Sequence, residues 1–202
     1  MYKYTIPQIL AFLTPSITWN VKTVDKEVFV TFDDGPHPEI TPWVLNELDK
    51  HNAKATFFCV GENVNKFPET YEMLLNKGHS AGNHTYNHLN GWNTENEKYF
   101  DNVSLCETKI KSKLFRPPFG RIKLSQYLRL RKNFKIIMWS ILSRDFEKDL
   151  DTEEAIEVMK NNISKGSVIV FHDSLKAEKN LKIMLPQILQ FINEQGFKMK
   201  CL

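Results

Sequence analysis

Short continuous apolar runs alternate along this chain with stretches whose apolar residues recur every three or four positions. Val28-Phe29-Val30-Thr31-Phe32 is a run of strand length, and Gly35-Pro36 forces a turn directly behind it. Helical periodicity follows over 43–51, and 54–60 reads as a buried strand. A helix is predicted over 67–77, a short glycine-bearing strand entry over 78–83, and a helix over 95–111 with Phe100, Val103 and Ile110 on its apolar face. Residues 135–140 read as a strand. Residues 152–162 read as a helix with Asp151 as cap and Glu154 three residues on. A strand over 167–171, a helix over 181–194 and a last strand over 197–201 complete the pattern. Strands alternating with helices predict an α/β fold with a mostly parallel sheet, open or closed into a barrel.

The 202 residues are enough for one core, and no repeat or low-complexity linker marks a second domain. Formal net charge is only +3, with basic and acidic residues interspersed. The runs around Lys109, Lys111 and Lys113 and at Arg129, Arg131 and Lys132 read as solvated faces. No basic stripe with interleaved aromatics is present, which argues against a nucleic-acid partner. Cys59, Cys106 and Cys201 are odd in number and form no C-x-x-C pair, so reduced thiols are expected. Residues 6–13 are apolar but short, are broken by Pro7 and lack a cleavage site. The stretch is too short to span a bilayer and makes a poor secretory signal. Residues 1–25 are therefore expected to pack as a segment on a domain covering 26–202. No integral membrane segment is expected, and the location is cytoplasmic by sequence alone, with a membrane-surface role of the segment left open. Oligomeric state is not legible.

Candidate chemistry begins at Asp33-Asp34. Side chains alternate faces within a strand, so two adjacent carboxylates serve one site only where the strand ends and the second can swing round. The second cluster is Asn83-His84-Thr85-Tyr86-Asn87-His88. Two histidines four apart on a helical turn face the same way and can reach one metal ion. No Glu follows His84, so a general base must come from elsewhere, and an aspartate of the first cluster suits that need. Asp33, Asp34, Arg116 and His172 all fall at or just after predicted strand ends, where parallel α/β folds gather their ligands.

The chain resembles the polysaccharide deacetylase family (the NodB-homology domain, carbohydrate esterase family four). The resemblance rests on Thr31-Phe-Asp-Asp-Gly35, His84-Thr-x-x-His88, Arg116-Pro-Pro-Phe-Gly120, Trp139-Ser140 leading to Asp145, and Phe171-His172-Asp173, in family order. It implies a distorted (β/α) barrel of about seven mostly parallel strands and a divalent metal, zinc first and cobalt as an alternative. By the resemblance, Asp34, His84 and His88 hold the metal and Asp33 is the base acting on a metal-bound water. Arg116 orients Asp33, a backbone N–H near Phe119 receives the oxyanion, and His172 protonates the leaving amine with Asp145 behind it. The implied reaction removes N-acetyl groups from an amino-sugar polymer or oligomer, releasing acetate, in a family that often acts at the cell envelope. Pro118, Phe119, Tyr86 and Trp92 lie near motif residues and are candidate sugar contacts. Trp139 reads as core.

Three positions depart from the family pattern: Leu142 and Phe146 around Asp145, and Phe171 before His172. They are expected to reshape the pocket for the acetyl methyl without touching the proton-transfer groups. A glycosidase using Asp33 and Asp34 as acid and base fails, because adjacent carboxylates rarely flank a scissile bond at the required separation. The alternatives left open are a silent carbohydrate-binding module and a deacetylase of a small non-polymeric N-acetyl compound.

Overall fold

The computed structural model describes Tyr4, Thr5, Thr14 and residues 16–202. Its strands are β1 (Glu27–Asp33), β2 (Ala55–Cys59), β3 (Ser80–Asn83), β4 (Leu114–Phe115), β5 (Lys135–Ile136), β6 (Ile141–Leu142), β7 (Val168–His172) and β8 (Lys198–Met199). The helices are α1 (Ile40–Lys50), α2 (Gly61–Lys66), α3 (Pro68–Asn76), α4 (Asn96–Glu107), α5 (Leu124–Leu130), α6 (Thr152–Asn162) and α7 (Glu178–Glu194). Seven strands run in the order β5-β4-β3-β2-β1-β7-β6, and β8 pairs with the first half of β1. Every pairing between these strands is parallel.

Strand β1 is covered on both faces, which is why its sequence is a continuous apolar run rather than an alternating one. Val28, Val30 and Phe32 point outward into the main core, against residues of α1, α6 and α7 such as Leu45, Met159 and Leu185. Phe29 points inward and packs with Phe58, Ile137 and Val168 inside the curl of the sheet. Thr31 and Asp33 share its parity, so they too face inward. The register sets Asp33 directly opposite His172.

Strands β5 and β6 are the two edges of the sheet, yet only 137–140 separate them, at most roughly 17 Å of chain. The sheet therefore curls into a half-barrel whose edges nearly meet. Thr18 pairs with the β5 edge, donating from its N–H to Ile136 O and accepting from Met138 N–H. Thr5 pairs with Ile141 on the far edge. This corrects the single strand expected over 135–140: the run is two short strands with a crossing between them. The apolar residues 6–13, expected to pack on the domain, lie outside the described residues.

Inside the half-barrel, space is scarce. A Cβ on Gly82 would sit 2.5 Å from the Phe58 ring, so only glycine lets β3 close on the interior. The expected helix 67–77 is observed as α3, preceded by α2. Helix α5, with Arg129 as its single charged residue, was not expected. Asp151 caps α6, accepting from the N–H groups of Glu153 (3.1 Å) and Glu154 (3.0 Å). The three cysteines are free.

Candidate active site

The carboxyl ends of the strands meet at one end of the half-barrel. Asp33 closes β1 on its inward face, and Arg116 follows β4 directly. Arg116 is fully buried. Its Nη1 donates to Asp33 Oδ1 at 2.7 Å and to Thr31 Oγ1 at 2.8 Å. Its Nη2 donates to Met138 O at 2.8 Å and its Nε to Ile137 O at 3.3 Å. The guanidinium also lies 4.1 Å from the Phe58 ring centroid. Each guanidinium nitrogen thus has a partner, through four of its five N–H donors, as a buried cation requires.

Asp34 is rotated out of the strand by a left-handed backbone, φ 79°. Its Oδ1 stands 3.1 Å from His88 Nε2 and 3.7 Å from His84 Nε2. The two histidines do not converge on a helical turn, contrary to the sequence expectation. The segment after β3 is a loop, with Thr85 at φ 62° and His88 at φ 54°. Asn83 Oδ1 accepts from Thr85 N–H (2.9 Å) and Thr85 Oγ1 from Leu89 N–H (3.0 Å), which hold the loop in this shape. Left-handed non-glycine residues carry about 1–3 kcal/mol of strain each and persist where the surroundings over-determine them.

These three side chains form a donor set suited to a divalent cation. One ligand atom from each lies within 4.8 Å of the others. Ligand atoms about 2.1 Å from a tetrahedral ion would be roughly 3.4 Å apart, a value the two measured Asp34–histidine distances bracket. His84 is buried and presents Nδ1 to Arg116 O at 2.8 Å, so Nδ1 carries the proton and Nε2 keeps its lone pair. Burial pushes its pKa down to about 4, which keeps the ring neutral. Burial alone would raise the pKa of Asp34, but the His88 hydrogen bond and the surrounding histidines hold it below the usual carboxylate range.

Across the cleft, His172 ends β7. Its Nδ1 is 2.7 Å from Asp145 Oδ1, and its backbone N–H donates to Asp145 Oδ2 at 2.9 Å. Asp145 is fully buried, and its segment is tied to α7 by Asn180 Nδ2, which donates to Asp145 O and Glu147 O. Burial opposes the charged imidazole, but the Asp145 carboxylate, aided by Asp34 and Asp33, more than offsets it and pushes the His172 pKa up to about 9.

The cleft has a volume of about 370 Å³ and includes Asp33, Asp34, His84, His88 and His172 in its lining. Phe119 lines it too, half-exposed and left-handed (φ 60°), with its ring 4.6 Å from His88. The other three expected sugar contacts do not. Pro118 is buried. Tyr86 packs against the main core, its neighbour Thr85 having turned the chain. Trp92 donates from Nε1 to Ile122 O and lies against Arg121, away from the cleft. Proximity in sequence to a motif did not carry them there. Trp139, expected in the core, packs against the inner cluster of Phe29, Phe58, Ile137 and Val168 and also forms a cleft wall, because it belongs to the crossing between β5 and β6. Leu142 and Phe146 also line the cleft, and the Phe146 ring stands edge-on to His172 at 5.0 Å. Gly120, Val170 and Lys176 were missed. Val170 could have been found from inward parity on β7, whereas Lys176 carried no signal in the sequence.

A family model described as polysaccharide deacetylase matches residues 20–134. A peptidoglycan-N-acetylglucosamine deacetylase of Bacillus cereus (strain ATCC 14579) is 32% identical over 193 residues, covering 92% of this chain and 90% of that protein. Another protein of that name and organism is 37% identical over 155 residues, covering 73% of this chain and 56% of its own length. The chain thus spans little more than half of that second relative. The crystal structure of the Bc1960 peptidoglycan N-acetylglucosamine deacetylase superposes with a TM-score of 0.88 at 30% identity, covering 98% of this chain and 95% of that one.

Proposed function

The chain belongs to the polysaccharide deacetylase family, and from that premise we propose that it hydrolyses the acetamide of an N-acetylated amino sugar in a glycan, with peptidoglycan as the first substrate to test. The convergence of Asp34, His84 and His88 beside two separately buttressed proton-transfer groups carries this reading. Deacetylases of this family are metal-dependent. A divalent cation held by those three residues, zinc before cobalt, would supply Lewis-acid polarisation of the amide carbonyl and acidify a water.

The remaining work falls to the chain's own side chains. Asp33, fixed by Arg116, takes the proton of the attacking water as the oxygen adds to the acetyl carbon. The Phe119 N–H at the cleft wall is assigned to the developing oxyanion. His172 enters the reaction charged, because Asp145 raises its pKa, and Asp145 holds Nδ1 so that Nε2 carries the transferable proton. That proton goes to the amine nitrogen as the C–N bond breaks, leaving acetate and a free amino sugar. Since Asp33 and His172 are register partners on the inner face, base and acid flank the same point. Trp139, Leu142, Val170 and Phe146 give that point apolar walls, which suits a methyl group.

The test is acetate release from a panel of peptidoglycan fragments, chito-oligosaccharides and monomeric N-acetylglucosamine, with chelator and with added zinc or cobalt. Release should stop with chelator and return with metal. Asp33→Asn should abolish release while zinc content stays near normal, and His84→Ala should lose both. Turnover by Asp33→Asn would remove that residue as base. Metal-loaded wild-type protein inert on every substrate would leave the silent-module reading in its place.

A further inference from the structure

Because the strands are parallel, the loops that lead into strands lie at one end of the half-barrel and those that leave them at the other, apart from the uncharged crossing 137–140, which does both. The loops leaving the strands carry the cleft. They hold six lysines and arginines against eight acids. The loops entering the strands (20–26, 51–54, 77–79, 108–113, 131–134, 163–167 and 195–197) hold ten lysines and arginines against one acid, Asp25. A chain that is nearly balanced overall is therefore strongly polarised, with its basic pole opposite the cleft. The runs that read singly as solvated faces are gathered there by topology.

Little at that pole neutralises the charge. Of the ten, two form ion pairs among the described residues, Lys77 with Asp49 and Lys113 with Glu107. Nine of the ten are lysine, a hydrated point charge without the planar fork that reads bases or clasps a single phosphate, so the pole suits a diffuse anionic field. Apolar tips stand among the cations. Val24, between Lys22 and Lys26, is 89% exposed. Lys109, Lys111 and Lys113 share a cavity of about 660 Å³ with the exposed Leu75. Cations interspersed with exposed aliphatic groups fit the headgroup region of a bilayer, where each finds its own environment.

We propose that the basic pole is a docking face for an anionic phospholipid membrane, which holds the protein peripherally with its cleft turned away from the lipid. No helix among the described residues is long and apolar enough to cross a membrane, so the attachment is a surface one. The inference is independent of the reaction at the cleft.

Sedimentation of the full chain with phosphatidylglycerol–phosphatidylcholine vesicles, and with pure phosphatidylcholine, tests it. Binding should require phosphatidylglycerol and weaken as salt rises. Replacing Lys109, Lys111 and Lys113 together by Gln should weaken it on the order of a hundredfold, about fivefold for each charge removed near the surface. The variant should keep its thermal unfolding midpoint and its turnover of a soluble substrate. Val24→Asp should weaken binding at unchanged net lysine count. Equal binding to neutral vesicles, undiminished binding by the triple variant, or soluble polyphosphate bound in preference to vesicles would each overturn the proposal.

Discussion

Replacing Asp145 by Asn separates the charge of this residue from its shape. The carboxylate accepts two donors from His172, the ring Nδ1–H at 2.7 Å and the backbone N–H at 2.9 Å. An amide has one oxygen to offer and must point its NH₂ at the other donor. If the oxygen stays on the backbone N–H, the NH₂ faces Nδ1 and forces Nδ1 to become an acceptor, leaving a neutral ring protonated on Nε2. The rise of the His172 pKa from the ordinary 6.5 to about 9 corresponds to about 3 kcal/mol of preference for the charged ring. Without the carboxylate, burial is opposed only by the more distant Asp34 and Asp33, and the pKa falls back toward the ordinary 6.5. Near pH 8 the charged fraction then drops from roughly nine-tenths to about one part in thirty.

The assay is kcat/KM for a soluble N-acetylated chito-oligosaccharide across pH, with zinc saturating. Wild-type activity should fall on the alkaline side as His172 loses its proton near pH 9. In Asp145→Asn the alkaline fall should move toward about pH 6.5, with a loss near pH 8 approaching about thirtyfold and zinc content unchanged. Stability carries the same sign. A group whose folded pKa is raised contributes fully below the unfolded value of about 6.5 and loses that contribution as pH climbs through about 9. The alkaline drop in wild-type stability should therefore flatten in the variant. An alkaline limb that stays in place would refute His172 as the acid held charged by Asp145.

Arg116→Met should destabilise the fold by about 3–5 kcal/mol in denaturant unfolding, because it leaves the Asp33 carboxylate buried without its cation. A loss under about 1 kcal/mol would mean that Asp33 reaches solvent. Gly35→Ala would place a Cβ 2.1 Å from Asp173 Oδ2, so either the turn bearing Asp34 or the end of β7 must move. The expected outcome is an overpacking loss of about 1–3 kcal/mol together with weakened zinc affinity by calorimetry, and unaltered affinity would show that the turn absorbs the methyl elsewhere.

The parts of this molecule that were legible in the sequence are those where chemistry and periodicity agree. Strand β1 announced itself because a strand buried on both faces must be apolar throughout, and α6 because Asp151 is a cap whose partners lie within three residues. Asp33, Asp34 and His172 were read at strand ends, where a parallel sheet gathers its ligands, and all three line the cleft. What was misread depends on conformations that residue type does not report. The spacing of His84 and His88 suggested a helical turn, but Thr85 and His88 are left-handed and carry neither glycine nor asparagine to betray it. The run over 135–140 is apolar enough for one strand, and only the curl of the sheet makes it a crossing, which is what puts Trp139 into the cleft. Tyr86 and Trp92 are the converse case, aromatic residues beside motifs whose loops turn them elsewhere.

Those left-handed residues bear on what the cleft is for. Among the described residues, six that are not glycine have positive φ: Asp34, Asn52, Thr85, His88, Phe119 and Arg144. Asn52 follows the end of α1, an ordinary place for asparagine to adopt that backbone. The other five all lie in loops leaving the strands, and three of them (Asp34, His88 and Phe119) line the cleft. Strain of about 1–3 kcal/mol at each position is not needed to close the half-barrel, since the sheet and its helices form the continuous main core beneath. It is needed to turn an aspartate and a histidine from separate loops onto one point beside the buried His84. A scaffold that only grips a sugar could relax these loops without losing its aromatic walls. The ordered strain, together with the doubly accepted His172 and an Arg116 paired at each guanidinium nitrogen, is the arrangement expected of a site selected to position charge for a reaction.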